Sequence, residues 1–168
     1  MDAGNSSISR RRLLALVPPL LLLGGRASAQ ATDAPVRWTD IELIDGRTLR
    51  AADLQRRTVV VEVWATWCPF CMKQNPHIQK LHEASRDSGL LVLTFALDQA
   101  PEVVRQYMDK RGYTFAAALN GPQVQRWFGK RRSLPELYVV DRAGRVVFRE
   151  QGEMFPEDIA ALTRFAAR

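Results

Sequence analysis

The stretch Val59-Val60-Val61-Glu62-Val63-Trp64-Ala65-Thr66-Trp67-Cys68-Pro69-Phe70-Cys71 decides the fold of this chain. A β-branched run of buried-strand character stops at a Cys-x-x-Cys pair, and a polar segment with helical spacing follows at once. The stretch therefore reads as a strand feeding a helix through two thiols. With the helix starting at Cys68, that sulfur lies beside free backbone N–H groups and the positive end of the helix dipole, which favour thiolate over thiol. Cys68 is the expected nucleophile. Cys71 lies three residues on, along the same helical face and one turn deeper, where it can resolve a mixed disulfide by attacking the first sulfur. Pro69 suits the first helical turn, where its missing N–H is not needed.

Trp64-Ala65-Thr66-Trp67-Cys68-Pro69-Phe70-Cys71 resembles the active-site motif of the thioredoxin superfamily, in particular the TlpA-like periplasmic thiol:disulfide oxidoreductases. That group includes the branch serving cytochrome c maturation. The resemblance covers roughly residues 38 to 168, and the Trp-Ala-Thr-Trp-Cys lead makes it specific. It implies an α/β thioredoxin fold: a central mixed sheet with helices on both faces and an N-terminal β-hairpin. A zinc site using His77 and His82 is the competing use of the cysteines. Five residues of helix put those histidines on different faces, and the Cys-to-His gap is too short for a zinc finger, so no metal is expected. No cofactor is expected either.

Outward from the motif, residues 1–29 read as a signal peptide and residues 30–168 as one thioredoxin-like domain. Arg10, Arg11 and Arg12 form a basic segment, Leu13 to Leu23 an apolar run broken by Pro18 and Pro19, and Ala27-Ser28-Ala29 a small-x-small cleavage signal. The run is too short to span a bilayer, so a retained anchor is the less favoured reading. Ser9-Arg10-Arg11-Arg12-Leu13-Leu14 fits a twin-arginine signal as well as an ordinary Sec leader, and both deliver the domain to the periplasm. Outside the cytoplasm, a chain with only two cysteines, both in one motif, has no structural disulfide framework. The pair is there to react.

The 24 basic and 18 acidic residues give a net charge of +6. Four of the arginines and one aspartate lie in the leader, leaving 20 basic against 17 acidic and a balance of +3. No basic stripe interleaved with aromatics appears, and Lys130-Arg131-Arg132 reads as a solvated loop, so no nucleic-acid partner is expected.

Ile41 to Ile44, Asp45-Gly46 and Arg47 to Leu49 read as a hairpin with a tight turn. Ala51 to Arg57 reads as a helical turn. The active-site helix is expected from Cys68 to about Ser85 with Pro76 kinking it, at a cost of about 3 kcal/mol unless compensated. Leu90 to Leu97 reads as a second buried strand, parallel to the first. Pro101 to Arg111 reads as a helix stopped by Gly112, with Val104, Tyr107 and Met108 on one side, and Pro122 to Phe128 as a short helix. Tyr113-Thr114-Phe115 and the alanines after it resemble the segment the family inserts between the halves of its fold. A strand to Asp141, a turn at Asp141 to Gly144 and a strand from Arg145 to Glu150 follow. A last helix from Pro156 to Ala167 is expected to bury Ile159, Leu162, Phe165 and Ala166.

Several site residues follow from the resemblance. Leu134-Pro135 corresponds to the family's cis-proline loop, whose open backbone pairs with substrate main chain beside the active sulfur. Glu62 breaks an apolar strand, so it needs a raised pKa or a partner. It matches the buried acid of thioredoxin, which takes the proton from Cys71 during resolution; the alternative is a structural pairing with an arginine. Trp67 and Phe70, with Pro69 and Leu134, are expected to bind substrate, as exposed aromatics beside a reactive site suit a flexible partner. Glu136 after Pro135 echoes a Pro-Glu of the cytochrome c maturation branch.

The expected activity is reduction of disulfides in exported proteins by a monomer whose dithiol is reset by a membrane thiol reductant. Pro69-Phe70 stands where thioredoxin has Gly-Pro, and Arg132-Ser133-Leu134 precedes Pro135 where the family more often has Gly-Val or Gly-Thr. Both positions tune thiolate stability, so a disulfide-forming oxidase stays open, as does a Cu(I)-binding dithiol for metallocentre assembly. The physiological substrate is not legible.

Overall fold

The computed structural model describes Met1 and residues 34–166. Apart from Met1, the leader expected over residues 1–29 lies outside the described residues, as does the end of the expected last helix.

The apolar run forms β3 (Thr58–Trp64), every residue of which is buried. It pairs in parallel with β4 (Leu90–Ala96) and antiparallel with β6 (Glu136–Val140). β5 (Ala116–Leu119) adds in parallel to β4, and β7 (Val146–Gln151) antiparallel to β6, giving a five-stranded mixed sheet in the order β5-β4-β3-β6-β7. Burial on both faces explains the continuous apolar character of β3, since a half-exposed strand would alternate.

Alternation along β3 sorts the helices into two layers. Val60 and Trp64 pack with Ile78 and Leu81 of α2 (Pro69–Ala84), Val104 and Met108 of α3 (Pro101–Arg111), and Ile159 of α5 (Pro156–Ala160). Val59, Val61 and Val63 pack with Leu54 of α1 (Ala51–Leu54) and with Val124, Trp127 and Phe128 of α4 (Pro122–Phe128). The hairpin β1 (Ile41–Glu42) and β2 (Thr48–Leu49) closes this second layer through Ile41 and Leu43. Side chains two apart on a strand share a face, so Glu62 belongs to the layer of α2.

Four helices, α2, α3, α4 and α5, begin with a proline at their first positions, where φ is already helical and no N–H is required. Gly112 ends α3 in the left-handed conformation at φ 67°, its N–H reaching Met108 and Asp109 carbonyls. Gly144 is required twice over: its φ is 79°, and a Cβ there would stand 2.8 Å from the Val36 carbonyl oxygen.

The alanine run, to which the sequence assigns no helix or strand, is a strand, because pairing with β4 and the hydrogen bond from Ile44 N–H to Ala117 O at 2.9 Å outweigh alanine's local preference for helix. Three expectations are corrected. The hairpin strands are shorter than expected, since the Leu43 N–H to Arg47 O and Gly46 N–H to Leu43 O bonds take residues 43–47 into the turn. The active-site helix starts at Pro69, with Cys68 as its N-cap in extended conformation. The last helix stops at Ala160 and continues as a 3-10 turn over Ala161–Phe165, with Ala166 only half-buried. That tighter winding still buries Leu162 and Phe165 against α2. Among the described residues, no helix is long and apolar enough to cross a membrane.

Candidate active site

The site is built at the end of the sheet where β3 runs out. Leu97 N–H bonds back to Trp64 O at 2.9 Å, keeping β3 and β4 together past their last ladder residues. Asp98 then grips the loop: its Oδ2 accepts the Thr66 N–H at 3.0 Å and its Oδ1 accepts the Thr66 hydroxyl. Cys68 N–H bonds to Ala65 O, which turns the chain into α2. Two charge-assisted bonds of this kind hold more than neutral ones do. Asp98→Ala is therefore expected to lower stability by about 2 kcal/mol in urea unfolding, with Asp98→Asn retaining part of that; an unchanged midpoint for Asp98→Ala would show that the loop holds itself.

Cys68 caps the helix with its own sulfur. The Cys71 N–H donates to Cys68 Sγ at 3.3 Å, so an otherwise unpaired amide of the first turn points at that atom. The pair is in its dithiol form. Cys68 is only 4% exposed and Cys71 is fully buried, whereas Trp67 and Phe70 on either side are 63% and 53% exposed. The nearly buried pair is thus flanked in sequence by two exposed aromatic side chains. Lys73 lies 5.5 Å over the Phe70 ring and 3.8 Å from Glu153.

Burial pushes the Cys71 thiol pKa well above its usual range. The bond and charge of Cys68 and the charge of Glu62 add to that effect, and the Ala65 backbone N–H offsets part of it. Cys71 cannot lose its proton without an acceptor close by.

Glu62 is the carboxyl whose charge acts on Cys71. It is fully buried, and burial raises its carboxyl to about 8 against a partial opposing effect from Gln74. Gln74 Nε2 donates to Glu62 Oε1 at 2.8 Å, while Glu62 Oε2 has no hydrogen-bond partner. Among the described residues no arginine pairs with Glu62, and the side chain that meets it is the Gln74 amide.

The strand pairing brings in Pro135. Glu136 pairs with Val63 in antiparallel register, so Pro135 lies past the end of β6, at the same end of the sheet from which Thr66 to Cys68 emerge. The Leu134–Pro135 bond is cis, and Pro135 O accepts the Gly152 N–H at 2.8 Å. Leu134 is half-buried and packs against both cores. Glu136, 2% exposed, clamps the approach to this loop: its Oε1 accepts the Arg132 N–H at 2.9 Å and its Oε2 the Tyr138 hydroxyl at 2.7 Å. Pro69 stands at the first turn of α2, beside Cys68.

Two residues of the site were missed in the sequence. Asp98 carried a positional signal, because it directly follows a buried strand at the sheet end that bears the motif. Gln74 lies three residues past Cys71, on the same helical face, but nothing local pairs it with Glu62. His77 and His82 are half-exposed, and among the described residues no group of three or more His, Cys, Asp or Glu could hold a metal ion.

A family model described as Redoxin matches residues 31–163. The thiol-disulfide oxidoreductase ResA of Bacillus anthracis is 26% identical over 122 residues, covering 72% of this chain and 68% of ResA. ResA of Halalkalibacterium halodurans is 25% identical over 130 residues, covering 77% and 73%. In structure, a thioredoxin-family thiol:disulfide interchange protein from Chlorobium tepidum superimposes with a TM-score of 0.73 at 22% identity, over 83% of this chain and 100% of that one. StoA from Bacillus subtilis does so with a TM-score of 0.67 at 19% identity, over 78% and 98%. The fold is the thioredoxin fold.

Proposed function

The chain belongs to the Redoxin family as a TlpA-like member of the thioredoxin superfamily, and on that premise we propose that it is a periplasmic thiol:disulfide oxidoreductase that reduces disulfides of exported proteins. The observation that carries the chemistry is the Cys68 sulfur capping α2 and accepting the Cys71 N–H, with a fully buried carboxyl whose charge acts on Cys71.

The cycle conserves two electrons. Cys68 thiolate attacks one sulfur of a substrate disulfide, forming a mixed disulfide and releasing the first substrate thiolate, which takes up a proton. Glu62 accepts the proton of Cys71, whose thiolate attacks Cys68 Sγ. The Cys68–Cys71 disulfide forms, and the second substrate sulfur leaves as a thiolate that is protonated in turn. The substrate gains two electrons and two protons, and a membrane thiol reductant restores the dithiol. Trp67, Pro69 and Phe70 present apolar surface to the partner, and the Leu134–Pro135 segment offers main chain at the same sheet end. A signal peptide over residues 1–29, cleaved before Gln30, supplies the export.

The reducing direction is part of this reading, and the reduction potential decides it, because a dithiol is a strong oxidant when its reduced form is stabilised. Equilibration with a glutathione redox buffer tests this: a reduction potential near that of thioredoxin, about −270 mV, is expected, whereas one near −120 mV would make the protein an oxidant.

A further inference from the structure

Gln74 is buried to 1% exposure in the first half of α2, and both ends of its amide are engaged. The Met154 N–H, in the segment between β7 and α5, donates to Gln74 Oε1 at 2.8 Å. A backbone N–H can only donate, so this contact fixes which end of the amide is oxygen. The Nε2 end then faces Glu62 and donates to Oε1 at 2.8 Å. An amide NH₂ has no acceptor capacity, so Glu62 Oε1 can serve only as an acceptor in this pair. The other oxygen, Oε2, is buried without a partner.

We propose that Gln74 is a positioning residue that confines the exchangeable proton of Glu62 to Oε2 and holds the ionised carboxylate ready for Cys71. The proposal rests on the reading of Glu62 as proton acceptor for Cys71. Met154 is eighty residues from Gln74 in sequence, yet its amide sets the orientation on which this depends. Without Met154 N–H the side-chain amide could present its oxygen to the carboxylate, an arrangement of two acceptors.

Among the described residues, none of the other groups around Glu62 makes a hydrogen bond to it. Cys71 on α2 interacts with it electrostatically and disfavours a second negative charge. Tyr113, between α3 and β5, also senses its charge. Its strand neighbours are Thr94 on β4, whose buried hydroxyl has no partner, and Leu137 on β6, which is apolar. Among the described residues, Gln74 is thus the one whose bond favours the ionised carboxylate, and a hydrogen bond favours the charged form it is made to.

The test measures two pH titrations on the purified protein. One is the carboxyl band of Glu62 in the infrared, identified by its loss in Glu62→Gln. The other is the single-turnover rate of mixed-disulfide resolution. Gln74→Leu places an apolar side chain in the site and removes the donor. The expected result is a Glu62 midpoint displaced to higher pH by about a tenfold change in proton concentration, with resolution near neutrality slowed about tenfold and recovering at alkaline pH. Gln74→Met repeats the test should leucine disturb packing. A purely structural role would slow resolution equally at every pH. A midpoint unmoved or moved down in both variants overturns the proposal. If the midpoint moves as expected while Glu62→Gln leaves the resolution profile intact, Gln74 positions Glu62 but Glu62 is not the acceptor, which overturns the mechanism on which the proposal rests.

Discussion

Cys71→Ser is expected to turn the protein into a trap: a substrate disulfide is attacked once, and the mixed disulfide with Cys68 accumulates. Cys71 is held within the same helical turn as Cys68, its N–H on the Cys68 sulfur at 3.3 Å. A well-placed intramolecular group acts at an effective molarity on the order of 10⁵ M or more, against millimolar external thiol. Turnover should fall by several orders of magnitude while the first attack persists. Cys68→Ser should abolish both. Serine is slightly smaller than cysteine, so a fully buried site accepts it with little change in packing. Mass spectrometry of the protein mixed with an oxidised substrate decides the matter: a stable adduct with Cys68→Ser and none with Cys71→Ser would exchange the roles of the two cysteines.

Glu62→Gln carries the second large effect, and here it concerns both stability and rate. The carboxyl stands at about 8 in the folded chain against an ordinary 4.5, with burial as the first cause. A raised value means that the folded state holds a proton that the unfolded state releases between those limits. The stability contributed by this proton is complete below about pH 4.5 and is lost as pH rises through about 8. Over that window the loss amounts to about 3 kcal/mol by pH 7 and to somewhat more at pH 8. Glutamine keeps an oxygen for Gln74 and carries no charge. The variant should therefore match the parent near pH 4.5 and exceed it by about 3 kcal/mol at pH 7 in urea unfolding, while resolving mixed disulfides more slowly. An offset between the two proteins that is constant from pH 4.5 to 8.5 would mean that Glu62 is not protonated on folding. A stabilising substitution that costs activity is the pattern expected when a buried titratable group is retained for chemistry.

The ease with which parts of this site were read follows from the range of the forces involved. Cys68, Pro69 and Cys71 are governed by rules of a single helical turn, so their placement at the cap, first position and next turn of α2 was legible directly. Glu62 was legible as an anomaly, a carboxyl in a strand whose other residues are apolar or small. Its neighbour was not, because Gln74 meets it only when α2 folds back across β3. The grip of Asp98 on Thr66 spans thirty-two residues and depends on β3 and β4 ending side by side. Glu136 was noticed for a resemblance, yet its observed contacts, to Arg132 N–H and the Tyr138 hydroxyl, concern the shape of the loop before Pro135.

The alanine run shows the converse case. Ala116 to Leu119 has no local reason to be extended, and it becomes β5 because β4 offers an open edge and the Ile44 N–H of the hairpin segment bonds to Ala117 O. By itself the sequence determined the order of strands and helices around the motif, the two reactive sulfurs and the presence of one misplaced acid, since patterning and capping act over a few residues. Only the tertiary structure decided what that acid touches, which of its oxygens is free, and how a backbone amide at Met154 sets the answer. Those contacts join segments twelve and eighty residues apart, and they exist only once the layers have packed.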